Sequence, residues 1–185
     1  MNPIGAEAAA AVLRAGGIVA HPTEAVWGLA CDPLDEAATL RLLALKQRAA
    51  GKGLILAAAS AEQLDGLADW NALPPARLAQ VSATWPGPHT WIVPATAAVP
   101  AWIRGDHAGV AVRVSAHPPL VALCRTFGGP IVSTSANRAG APPPRRLDDC
   151  DPGILAGVDA VLAGTTGGLE RPTGIRDAVT GALLR

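Results

Sequence analysis

Lysine is nearly absent from this chain of 185 residues: there are two, Lys46 and Lys52, six positions apart with Arg48 between them. Net charge is absent as well, because fifteen basic and fifteen acidic residues cancel. That removes the long-range field that draws a protein onto nucleic acid and leaves any anion site to local charge. The three cysteines, Cys31, Cys124 and Cys150, are odd in number and form no C-x-x-C pair, so neither a disulfide framework nor a zinc site is expected, no metal ligands are assigned, and a reducing cytoplasm suits the chain. The alanine run 8–11 meets Arg14 without a preceding basic segment, which argues against a secretory leader. No apolar run is long enough to span a bilayer, so no membrane partner is expected. Neither G-x-x-x-x-G-K-[ST] nor G-x-G-x-x-G occurs, and the standard phosphate cradles are thereby excluded.

What is present is apolar substance and punctuation. Half of the residues are hydrophobic, enough for one substantial core, and one domain over residues 1–185 without a C-terminal extension is expected. Residues 6–14 read as a helix ended by Gly16-Gly17, and 18–20 as a buried strand. Asp35 is placed to cap a helix reaching Lys46. Residues 53–58 read as a strand, and Ser60 with Gln63 as a capping box opening another helix. Pro74-Pro75 begins a helix to Thr84, and Trp85-Pro86-Gly87-Pro88 is a rigid turn before the strand 90–93. In 110–115 the alternation is strict, with Val110, Val112 and Val114 on one face and Ala111 and Arg113 on the other. A helix over 119–127 stops at Gly128-Gly129, the short strand 130–132 runs into Ser133-Thr134-Ser135-Ala136-Asn137, and 138–152 is a long surface connection with the character of a lid. A strand over 158–163 and a hairpin turning at Thr180-Gly181 complete an α/β fold: a twisted mixed β-sheet flanked by helices.

Two segments carry candidate chemistry. Lys46, Arg48 and Lys52 at a helix end supply compact charge suited to phosphates, although cations in a last helical turn also offset the helix dipole. Residues 133–137 put hydroxyls, an amide and backbone N–H groups at the carboxyl end of a strand, where an anion finds donors. An ordinary Ser/Thr turn is the competing reading. Arg113 fits a carboxylate fork or, equally, a salt bridge. His21, His89, His107 and His117 are scattered and nominate no general base.

Lys46-x-Arg48 followed by Ser135-x-Asn137 resembles the paired signature of the YrdC-like family, the L-threonylcarbamoyladenylate synthases. His21-Pro22-Thr23-Glu24-Ala25-Val26-Trp27-Gly28-Leu29, Trp85-Pro86-Gly87-Pro88-His89-Thr90 and Val110-Ala111-Val112-Arg113 are similar to further segments of that family, with Ala25, Trp27 and Ala49 as departures from its pattern. The likeness spans about residues 17 to 185 and is greatest to the short bacterial members. It implies an enzyme that joins L-threonine, bicarbonate and ATP (with Mg²⁺) into threonylcarbamoyl-AMP and pyrophosphate. The product would pass to a tRNA threonylcarbamoyl transferase complex. By this resemblance Lys46, Arg48 and Lys52 are catalytic. Arg48, Lys52, Ser135, Asn137 and Arg185 hold ATP, and Thr23, Arg113, Ser133 and Thr173 line the threonine site. The alternative is a module that binds tRNA or other RNA directly, through Arg138, Arg145 and Arg146, without chemistry of its own.

Overall fold

The computed structural model describes residues 1–170 and 173–184. Helix α1 (Ala6–Arg14) is built from alanine, the residue that gives up least entropy in a helix, and buries Ala9, Ala10 and Leu13. Strands β1 (Val19–Pro22) and β2 (Trp27–Ala30) form an antiparallel hairpin joined by loop 23–26. Helix α2 (Glu36–Leu45) begins where the Asp35 carboxylate accepts from Ala38 N at 2.9 Å. Then follow β3 (Ile55–Ala58), α3 (Pro75–Ser82), β4 (His89–Pro94), the single turn α4 (Ala101–Arg104), β5 (Gly109–Val114) and α5 (Pro118–Phe127). The last third holds β6 (Ile131–Val132), β7 (Thr134–Ser135), the short α6 (Pro152–Ala156), β8 (Ala160–Val161) and β9 (Gly174–Asp177).

The expected mixed sheet with flanking helices is present as two mixed sheets, ordered β7-β2-β1-β8 and β6-β3-β5-β4-β9. Strand alternation divides the core. Ile18 and Ala20 join the larger apolar cluster, with Leu29, Leu56, Trp91, Val110, Val112 and Val114, while Val19 and Ala57 point the other way into a second cluster beneath α1 and α5. The valine face of β5 is therefore core, and the face bearing Ala111 and Arg113 is free for another purpose. Register puts Ile55 beside Ala111 and Ala57 beside Arg113.

Residues 131–137 join the sheets. β6 pairs with β3 in one sheet, β7 pairs with β2 in the other, and Ser133 stands at the crossing with its N–H bonded to Ile55 O at 2.8 Å. The expected helix after Ser60 is a single 3₁₀ turn, Ala61–Leu64, without a side-chain cap. Gln63 is drawn off instead: its Oε1 accepts from Ala59 N at 2.7 Å and its Nε2 donates to Cys124 O at 3.0 Å, so the tertiary contact overrides the capping box. The terminal hairpin is as expected, with Asp177 N bonded to Ala182 O at 2.9 Å and Leu184 N to Ile175 O at 2.8 Å. Among the described residues no helix is long and apolar enough to cross a membrane. Cys31, Cys124 and Cys150 are buried and unbridged.

Candidate functional site

Where the two sheets are bridged, a cavity of about 610 Å³ opens. Its wall gathers residues that the sequence scatters: Thr23 from loop 23–26, Arg48 and Lys52 after α2, Arg113 from β5, Ser133, Ser135 and Asn137 from the crossing segment, and Thr173 ahead of β9. Gly28 lies on the same wall, where a Cβ would sit 3.0 Å from His21 Nε2 and 3.1 Å from Thr134 O. Only glycine allows β2 that close an approach.

Of the three cations read as one anion site, Arg48 and Lys52 reach the cavity, whereas Lys46 lies behind its wall, 2% exposed. The end of α2 decides this. Arg48 N bonds to Leu43 O and Gln47 N to Ala44 O, each at 3.0 Å, with Gln47 at φ 52°, the double bonding of a Schellman turn. The turn reverses the chain, carrying Arg48 outward and leaving Lys46 inward, where its ammonium donates to the carbonyls of Ser135 and of Asn137, the latter at 2.7 Å. Burial, reinforced by the charge of Arg48, pushes the Lys46 ammonium down to about 8. Lys46 thus ties α2 to the Ser135–Asn137 turn and does not face the cavity.

Asn137 donates its amide nitrogen to Ala141 O at 2.6 Å and Arg138 O at 3.0 Å, and its Oδ1 is buried without a hydrogen bond among the described residues. Ser133 has a defined polarity. His21, wholly buried and pushed down to about 4 chiefly by that burial, is neutral at ordinary pH. Its Nδ1 faces Pro22 O at 3.2 Å, and a carbonyl only accepts, so Nδ1 carries the hydrogen and Nε2 accepts. The Ser133 hydroxyl, 3.5 Å from Nε2, is then the donor in that pair and keeps its lone pairs for a donor in the cavity. The Thr23 hydroxyl donates to Val26 O at 2.7 Å, and Thr173 Oγ1 lies 3.3 Å from Thr90 Oγ1. Arg185 lies outside the described residues.

Sequence reasoning missed Glu24, Ser115 and Arg104. Glu24 forms an ion pair with Arg113 at 3.1 Å. Burial works against its ionisation, yet the Arg113 guanidinium and the Ser115 hydroxyl hold its carboxyl below the usual value. A lone acidic residue in the apolar hairpin 19–30 was the available signal. Arg104 and His107 also line the cavity, and α4 is locked to the Lys52 segment by Leu54 N to Ile103 O at 2.9 Å and Asp106 N to Gly51 O at 3.0 Å. The segment after Asn137 closes one side through Ala141 and Pro143, and Pro144 O accepts from Trp27 N at 2.8 Å. Arg138 and Arg146 on that segment are paired with Asp151 and Asp148 at 2.9 and 3.6 Å, and Arg145 donates to Leu169 O at 3.2 Å. Among the described residues no carboxylate lines the cavity, and no group of three or more His, Cys, Asp or Glu side chains is fit to hold a metal.

The arrangement offers cations and hydroxyls to phosphates and a buried guanidinium to a carboxylate, all on one wall. The threonylcarbamoyl-AMP synthase of Stenotrophomonas maltophilia (strain K279a) is 54% identical over 185 residues, 100% of both chains. Two structures of P. abyssi Sua5, one of them complexed with L-threonine, are 33% identical with TM-scores of 0.90 and 0.86. They are matched over 97% of this chain, which spans 55% and 53% of theirs, about half their length. A family model of Sua5, YciO and YrdC, described as telomere recombination, matches residues 11–185, and the chain belongs to this Sua5/YrdC family.

Proposed function

We propose that this protein is a nucleotidyltransferase that makes L-threonylcarbamoyl-AMP from ATP, L-threonine and bicarbonate and releases pyrophosphate. The observation that supports the reading is the single cavity whose wall carries Arg113, Thr23, Ser133 and Thr173 together with Arg48, Lys52, Ser135 and Asn137. The product supplies threonylcarbamoyl modification of tRNA through a separate transferase complex, in the cytoplasm, where ATP, threonine and tRNA meet.

In this mechanism bicarbonate takes up a proton and loses water to give carbon dioxide, and the neutral amine of threonine adds to its carbon and passes a proton to water, leaving a carbamate. A carbamate oxygen attacks the α-phosphorus of ATP in line. The new O–P bond forms as the bond to the β-phosphate oxygen breaks, and pyrophosphate leaves with the negative charge. Arg48 and Lys52 stabilise that developing charge. Lys46 acts from behind, holding the carbonyls of Ser135 and Asn137 so that this turn presents its donors to the nucleotide. The unoccupied Oδ1 of Asn137 suits a ribose hydroxyl or the adenine amine, and Arg185 completes the ATP site. Arg113 receives the threonine carboxylate, and Ser133, set as an acceptor by His21, receives the amine or the side-chain hydroxyl. Thr23 and Thr173 line the same site. Among the described residues the wall offers cations and no carboxylate, so Mg²⁺ would come as the counter-ion of ATP, carried by its phosphates. A module that only binds RNA would leave the buried Arg113, Thr23 and Ser133 of this wall without a ligand.

The test is pyrophosphate release by the purified protein given ATP and bicarbonate, with and without threonine. Threonine-dependent release with the adenylate detected by mass is expected. ATP left untouched in every mixture would discard the reading.

A further inference from the structure

Arg113 is not an isolated cation. Its side chain is 7% exposed and that of Glu24 9%, and two charges so far removed from water persist only when each is compensated. Arg113 Nη1 lies 3.1 Å from Glu24 Oε2, an ion pair without the alignment of a hydrogen bond. The other oxygen, Oε1, accepts from the Ser115 hydroxyl at 2.6 Å, whose oxygen accepts in turn from His117 N at 3.0 Å. The backbone of Glu24 is equally fixed. Leu169 N donates to Glu24 O and Gly167 N to Thr23 O, each at 3.0 Å.

Glu24 does not line the cavity, whereas Arg113 does. Arg113 Nε is buried and has no hydrogen-bond acceptor among the described residues. The donors of a guanidinium lie in one rigid plane, so drawing Nη1 toward Glu24 also fixes the direction of Nε–H. The Arg113 side chain reaches the cavity wall, and a carboxylate entering there is the acceptor that a guanidinium pairs with best.

We propose that Glu24 is a positioning residue for amino-acid binding: it holds Arg113 from the Nη1 side and so sets how the guanidinium meets the carboxylate of the substrate in the cavity. Ser115 fixes Glu24 in turn. This rests on the amino-acid-adenylating function proposed above. Because the hold is electrostatic, glutamine, which keeps the shape of Glu24, removes it.

Threonine and ATP binding to the full chain are measured by calorimetry for wild type, Glu24→Gln, Ser115→Ala, Arg113→Lys and the Glu24→Gln/Arg113→Lys pair, with circular dichroism as the check of folding. Glu24→Gln is expected to weaken threonine binding at least tenfold while ATP affinity stays within threefold. Ser115→Ala is expected to weaken threonine three- to tenfold. On the Arg113→Lys background Glu24→Gln adds less than twofold, because the carboxylate acts only through the guanidinium. A folded Glu24→Gln protein whose threonine affinity is within twofold of wild type, or which loses threonine and ATP affinity equally, overturns the proposal. Should Glu24→Gln not fold, Ser115→Ala decides, since it keeps both charges, and unchanged threonine binding there is equally fatal. Wild type that binds no threonine removes the proposed function and this inference together. Wild type that binds while Glu24→Gln binds as well removes the inference alone.

Discussion

At Lys46 the ammonium sits between two carbonyls of a segment about ninety residues further along the chain, while Lys52, from the same short stretch, is exposed on the cavity wall. Their alanine variants should therefore differ in kind. Lys46→Ala leaves two carbonyls without their donor and opens a space beside α2, so it is expected to lower kcat/KM about 100-fold and stability by about 2–4 kcal/mol. Lys52→Ala is expected to lower kcat at least tenfold, as the loss of a donor to the developing charge does, with stability changed by less than about 0.5 kcal/mol. Pyrophosphate-release kinetics and urea unfolding of the two variants check this. A folded Lys46→Ala protein with a tenfold or smaller loss of kcat/KM would end its assigned role. His21 makes a spectroscopic prediction: ¹⁵N NMR should show a neutral ring with hydrogen on Nδ1 and a pyridine-like Nε2. The opposite tautomer would reverse the hydrogen-bond direction assigned to Ser133.

The turn that separates these lysines belongs to the scale of the element. Gln47 occupies the left-handed position of the Schellman turn at φ 52°, a conformation that costs a non-glycine residue on the order of 1 kcal/mol. Gln47 is exposed and lines no part of the cavity. Gln47→Gly is therefore expected to stabilise the protein by about 0.5–1 kcal/mol, raising Tm in calorimetry by a few degrees without altering kcat. A fall in Tm would mean that glutamine makes a compensating contact. At this scale the sequence was most legible where local signals agreed. Asp35 caps α2, α1 spans the alanine run, and the alternation of 110–115 separates Arg113 from the valine core. It was misleading at Ser60, where Gln63 serves Ala59 and Cys124, because a capping box is local chemistry and that contact is not.

For the whole molecule, the buried groups that titrate in the acid range share one sign. Burial holds His21 down to about 4 and also lowers His117, while Glu24 is held below its ordinary value against the effect of its own burial. The fold accordingly binds fewer protons than the unfolded chain in the acid range. For His21 the stabilisation is fully present above about pH 6.5 and is lost as pH falls toward about 4, on the order of 2 kcal/mol between pH 7.5 and 4.5. Arg113, Glu24 and His117 bear on the same ring and modulate that window. Urea unfolding across this range should show the loss, and His21→Gln should flatten its slope; an unchanged slope would show that His21 is not the group responsible. The sequence by itself determined the α/β class, most of the helices and strands, and the segments that carry the site, because periodicity, caps and motif spacing act over a few residues. Only the tertiary structure decided that the sheet is two sheets bridged at Ser133, that the carbonyls of Ser135 and Asn137 receive the Lys46 ammonium, and that Glu24 stands beside Arg113. Each of these depends on which strand pairs with which and on a charge that must find its partner out of water. Those are contacts between residues about ninety positions apart, and no local pattern records them.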